Sequence, residues 1–136
     1  PGRSVLLRKF FSGEAVIEGD GCRWINQIHR DDAASGLLQL AQTRMPGLFN
    51  IGDNQPMEQR CLYETLSKRF EQPLPPYGPV NKDRKRGWTH KRVCNAKLRS
   101  LGWEPSYASF EAALEIDPQL VPLAKAQAIS AQSKQA

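Results

Sequence analysis

Apolar positions along this chain recur first at helical spacing. In "SVLLRKFFSG", Leu6, Leu7, Phe10 and Phe11 fall on one stripe behind a capping Ser4, and Gly13 closes the segment. "EAVIEGDGCRWINQIH" reads as two extended pieces about a Gly19-Asp20-Gly21 turn, so the pattern predicts a hairpin. Arg30 to Thr43 predicts a helix with Ala34, Leu37, Leu38 and Ala41 as its buried face, stopped by Pro46-Gly47. "GLFNIGDN" predicts a short strand from Leu48 to Ile51, released at Gly52. Asn54 to Pro56 then start a helix whose stripe is Met57, Cys61, Leu62, Leu66 and Phe70.

The stretch 72–91 differs in kind. Its prolines and glycines break regular structure and predict a long surface loop. Order returns at "RVCNAKLRSLGW", with Asn95 as cap, Leu98 and Leu101 inward and Gly102 as the stop. "EPSYASFEAALEI" predicts a further short helix presenting Tyr107, Phe110 and Leu114 to the core. From Asp117 the chain is rich in Ala, Gln and Ser, which reads as a peripheral helix or frayed tail. Short strands alternating with amphipathic helices predict an α/β fold, with residues 1–115 as its body and 116–136 as the appendage.

Composition narrows the class. The 136 residues suit one domain with its own core, and 19 basic against 14 acidic residues give a formal charge of +5. That balance mildly favours anionic partners. Cys22, Cys61 and Cys94 are scattered and form no CxxC pair, which argues against a disulfide framework or thiolate zinc site and for a reducing, cytoplasmic setting. No apolar run reaches membrane-spanning length. The chain opens on Pro-Gly without a Met, and the expectation is a fragment.

His29-Arg30-Asp31-Asp32 is the one cluster that suggests chemistry. A metal site needs three or four ligands, and His90 in the loop is the only other histidine. Acids at positions 31 and 32 suit the free N–H groups of a helix start. The cluster therefore reads as a strand-to-helix junction rather than as an acid–base centre or metal site.

Several pieces then line up in order: Pro1-Gly2-Arg3; Asn26, Ile28, His29, Asp32 and Ala33; Phe49, Asn50 and Gly52; and Asn95, Lys97, Leu98, Leu101, Gly102 and Trp103. Over about residues 1–115 the chain resembles the carboxy-terminal half of an extended short-chain dehydrogenase/reductase, the NAD(P)-dependent epimerase/dehydratase family with its nucleotide-sugar enzymes. The resemblance implies a Rossmann-like α/β fold of which this chain supplies the substrate-binding lobe and last sheet strands. It lacks the N-terminal dinucleotide-binding half, which stands as the implied partner; a lobe cut from its parent sheet exposes an apolar edge, so a homodimer that covers it is a further expectation. NAD or NADP is the cofactor so implied for the complete protein, with none held by this chain alone.

The chemistry-bearing motifs of that family are absent. No Gly-rich dinucleotide turn occurs, and Tyr63, Tyr77 and Tyr107 are followed four residues later by Ser67, Asn81 and Glu111 rather than lysine. An anionic or sugar-like small-molecule substrate is expected at Arg3, Asn26, Arg84, Arg86, Trp88 and Arg92. For Asn26 and Asn50 the other reading is that they satisfy backbone groups. The family's phosphate-gripping arginine would fall at Ile25, and Arg23, on the same strand face, is the geometric substitute. The alternative function is a non-enzymatic anion- or nucleic-acid-binding module using the basic loop 81–92, which is otherwise a solvated loop. No membrane association is expected, and nucleic acid is the lesser expectation.

Overall fold

The computed structural model describes residues 4–83 and 90–133, so Arg3, Arg84, Arg86 and Trp88 lie outside the described residues. The fold is mixed α/β: helices α1 (Val5–Ser12), α2 (Arg30–Thr43), α3 (Gln59–Phe70), α4 (Ala96–Arg99), α5 (Phe110–Ile116) and α6 (Leu120–Ser133), with strands β1 (Ile17–Glu18), β2 (Trp24–Ile25), β3 (Met57–Glu58) and β4 (Tyr77–Gly78). The strands form two small sheets, β1 with β4 and β2 with β3. The chain divides into two compact units: Pro1–Arg23, Glu58–His90 and Asp117–Ala136 in one, Trp24–Met57 and Lys91–Ile116 in the other.

The first unit is built on α1. Ser4 Oγ accepts from Leu7 N–H at its start, and Gly13 at φ 76° ends it with its N–H donating to Phe10 O. Leu7 and Phe10 are buried, while Leu6 and Phe11 are only half-buried. Phe10 stacks on Tyr63 at 6.2 Å between ring centroids, and Phe11 meets Phe70 edge-on at 5.1 Å. Leu62, Tyr63 and Leu66 of α3 complete this core. The tail is a helix, α6, whose small Ala124 and Ala128 are buried where it lies along α1. Gln132 of α6 donates to Ser12 O at 3.2 Å, and Lys125 Nζ sits 5.2 Å above the Phe11 ring.

No hairpin forms about Gly19-Asp20-Gly21. Instead β1 runs parallel to β4, with Ile17 opposite Tyr77, and β4 lies inside the stretch 72–91 that the sequence predicts as a long loop. Ile17 N–H donates to Pro76 O and Gly19 N–H to Gly78 O, both at 2.9 Å. Position 78 must be glycine for this approach, since a Cβ there would lie 2.6 Å from Val16 Cγ1. Prolines at 75, 76 and 79 flank β4. The second edge of β1 is met by a side chain: buried Gln59 accepts from Glu18 N–H at 2.9 Å and donates to Val16 O at 3.3 Å. The helix predicted from Asn54 accordingly begins later, at Gln59, with Met57 in β3.

In the second unit α2 spans the predicted residues but faces the other way. Its buried positions are Asp32 and Gly36, whereas Leu37 is 62% and Leu38 59% exposed, with Ala34 and Ala41 also exposed. Polar bonds turn it: Asp32 accepts from Ser106 and Tyr107 N–H at 2.7 and 2.9 Å, Trp103 Nε1 donates to Ser35 Oγ at 2.9 Å, and Gln39 donates to Leu101 O at 2.6 Å. Gly36 then permits contact, for a Cβ there would stand 3.0 Å from Ile51 and 3.3 Å from Leu98. Leu98, Trp103, Phe110, Ala113 and Leu114 fill the core beneath, with Leu101 half-buried. Tyr107, expected on the last short helix, precedes it. No strand forms over residues 48–51: Leu48 is 92% exposed, its carbonyl accepts from Lys97 Nζ at 3.0 Å, and the Asn50 side chain reaches the 94 carbonyl instead of a neighbouring strand.

Replacing Gln59 with leucine leaves Glu18 N–H and Val16 O without the partners it supplies. Gln59→Leu is expected to lower stability by roughly 1–3 kcal/mol, measured by urea denaturation.

Candidate functional site

Three segments of the second unit are tied together by side-chain amides. Where β2 ends, Asn26 Nδ2 donates to Lys91 O at 2.8 Å and its Oδ1 accepts from Val93 N–H at 2.7 Å. Asn50 donates to Cys94 O at 3.1 Å. Asn95, buried at the start of α4, sends its amide to Gly52 O and Asn54 Oδ1, both at 2.8 Å, and to Asp53 O at 3.3 Å. Asp53 N–H closes the circuit by donating to Gln27 O at 2.8 Å. Residues 91–95 therefore lie fixed between 26–27 and 50–54 although no regular strand includes them.

That anchoring places one cation. With the backbone held on both sides of residue 92, the Arg92 guanidinium carbon sits 5.3 Å from the centroid of the Trp24 ring. A guanidinium held over an aromatic face keeps its donors directed sideways in a planar fork, the geometry suited to carboxylate or phosphate oxygens. Arg92 and Lys91 are exposed. Of the six residues expected to touch substrate, the structure brings Asn26 and Arg92 together, and the other four lie outside the described residues. The Asn26 amide is occupied by backbone on both its atoms, so its visible work is to position the segment that carries Arg92.

His29 occupies the junction expected of it. Its Nδ1 accepts from Asp31 N–H at 3.2 Å as the cap of α2, which puts the neutral ring's proton on Nε2. The ring stacks on Tyr107 at 3.7 Å between centroids. Trp103 is core. Arg23 belongs to the other unit, where its buried Nε has no hydrogen-bond partner among the described residues. Among those residues no group of three or more His, Cys, Asp or Glu side chains stands ready to hold a metal ion.

Asp53 escapes any reading of the sequence. It is 6% exposed, and burial pushes its carboxyl up to about 6 from the ordinary 3.8, against the opposing pull of Gln55 N–H, which donates to it at 3.1 Å. The Gly19–Gly21 turn leads into β2 rather than into a helix.

Because the folded state holds the Asp53 proton more tightly than the unfolded chain, this group's stabilisation is complete below its ordinary pKa and disappears as pH rises through about 6. Asp53→Asn keeps the shape and the acceptor for Gln55 N–H. Denaturation profiles are expected to show the variant gaining up to about 3 kcal/mol on the native chain between pH 4 and 7.5.

No protein-family model and no curated protein sequence matches the chain.

Proposed function

We propose that this chain is the substrate-side lobe of an NAD(P)-dependent epimerase/dehydratase-type oxidoreductase, and that it takes an anionic, sugar-like substrate at Arg92. One observation carries the reading. The residues on which the family resemblance rests also build the second unit: His29 caps α2, Asp32 gathers the 106–107 amides, Asn50 and Asn95 stitch the segments, and Leu98 and Trp103 fill the core. Their assembly presents Arg92 over Trp24 at its surface.

In this reading the lobe grips substrate and performs no bond-breaking step. A carboxylate or phosphate oxygen pair receives the two N–H groups of the guanidinium fork, while Asn26 holds the backbone on either side so that Arg92 loses little freedom on binding. In the same reading the tyrosine–lysine proton shuttle and the nicotinamide belong to a separate nucleotide-binding part.

Titration of the isotope-labelled chain with uridine diphosphate glucose is expected to shift the amides of 24–27 and 91–93, while NADH shifts none. Arg92→Ala is expected to weaken the sugar nucleotide about 10-fold or more, the loss of one charge-assisted hydrogen-bonding group. Oligonucleotide binding with a steep salt dependence, and no response to the sugar nucleotide, would favour a polyanion-binding module and sink the proposal.

A further inference from the structure

Two buried carboxyls in the second unit are served very differently. Asp32, 1% exposed, accepts two backbone N–H groups, from Ser106 and Tyr107. Asp53, 6% exposed, accepts one among the described residues, from Gln55 in its own turn at 3.1 Å. A carboxylate so placed is poorly solvated whereas the neutral acid is at ease, and burial accordingly carries its pKa to about 6. No charge relieves it. The residues bonded to it or to its turn are uncharged: Gln27, Gln55, Asn95 and, through Asn54, Ala108. The charged or titratable side chains on those segments are His29, Lys91, Arg92, Cys94, Lys97 and Tyr107, and none of them shifts the carboxyl.

Position makes that proton consequential. The Asp53 backbone is bonded to both flanks of the segment that carries Arg92. Its N–H donates to Gln27 O at 2.8 Å, beside the Asn26 that grips residues 91 and 93, and its C=O accepts from Asn95 at 3.3 Å. We propose that Asp53 is a proton-operated latch on the Arg92 site. With the carboxyl neutral, 27 and 95 stay joined through residue 53 and Arg92 is held over Trp24. With it ionised, the side chain turns toward water, both backbone bonds of residue 53 weaken, and the 91–95 segment loosens. An anion must then order the segment that binds it, so affinity is full at low pH and falls as pH rises through the Asp53 ionisation. The latch adds regulation to the reading of Arg92 as an anion grip and rests on that reading for its ligand, though not for the motion.

Uridine diphosphate glucose, whose diphosphate stays ionised throughout, is the probe. Its Kd on the native chain is expected to rise about 5-fold or more between about pH 5 and pH 8. Imidazoles commonly titrate in the same range, so the latch is the part of that rise which Asp53→Asn removes. This variant keeps the shape and the Gln55 bond, and at about pH 8 it is expected to bind the probe about 5-fold more tightly than the native chain. The motion is read without ligand. Amide relaxation of the isotope-labelled free chain is expected to show residues 91–93 losing order over that pH range in the native protein and not in Asp53→Asn. Order that ignores pH, or that responds equally in both chains, would overturn the latch. So would a bound probe that Asp53→Asn holds no better than the native chain at the upper pH. Should order change as expected while the probe binds at neither pH, the latch stands and the substrate reading falls.

Discussion

Asp32 is the hinge of the second unit's energetics. A carboxylate 1% exposed is costly to bury unless its lone pairs are filled, and here the amides of Ser106 and Tyr107 fill both oxygens. Those two bonds fix the chain between α4 and α5 against the start of α2, and they choose which side of α2 turns inward. Once Asp32 is inside, Gly36 follows one turn later and Gln39 near the next. The leucines at 37 and 38 are then carried outward by helical geometry alone. Interior polarity here is not a defect in the core. It sets the orientation of the element above it.

The same economy governs the asparagines. Strands of two residues cannot satisfy the backbone of so irregular a unit, and side-chain amides stand in for the missing ladder. Asn26, Asn50 and Asn95 each offer a donor and an acceptor, which lets one residue serve backbone groups of either kind. Rigidity reaches Arg92 by this route, from buried Asn95 outward through the 91–95 segment. A surface cation preorganised in this way binds an anion with less ordering cost than a freely swinging one.

Local signals in the sequence were reliable where local physics decides. Ser4 and Gly13 bound α1 because caps act within a turn or two of the residue that supplies them, and His29 marks the junction for the same reason. Partnerships distant in sequence were not legible. β1 finds β4 inside a proline-rich stretch with too few residues to show alternation, and the turn glycines at 19 and 21 point instead to a hairpin. Periodicity located α2, but the face it assigned to the core, Ala34, Leu37, Leu38 and Ala41, is the exposed one, because a hydrophobic pattern does not register the polar bonds of Asp32 and Gln39 that turn the helix. Asn95 does stand at a helix start, but its amide serves residues 52–54 rather than its own helix. In the candidate site, Asn26 and Arg92 were separately visible as polar side chains. The grip of Asn26 on the backbone flanking Arg92, the placing of Arg92 over Trp24, and the buried carboxyl of Asp53 are products of tertiary folding alone.

The prolines around β4 have a bearing on what this protein avoids. A two-stranded parallel sheet has an open rim, and an open rim ordinarily templates further strands. Gln59 closes one side. On the other, Pro75 and Pro79 bring no N–H groups, and alternation leaves Tyr77 with the single rung that faces out. One rung cannot nucleate a ribbon, so this rim is sterile toward fibrillar growth even though valine and isoleucine lie beside it.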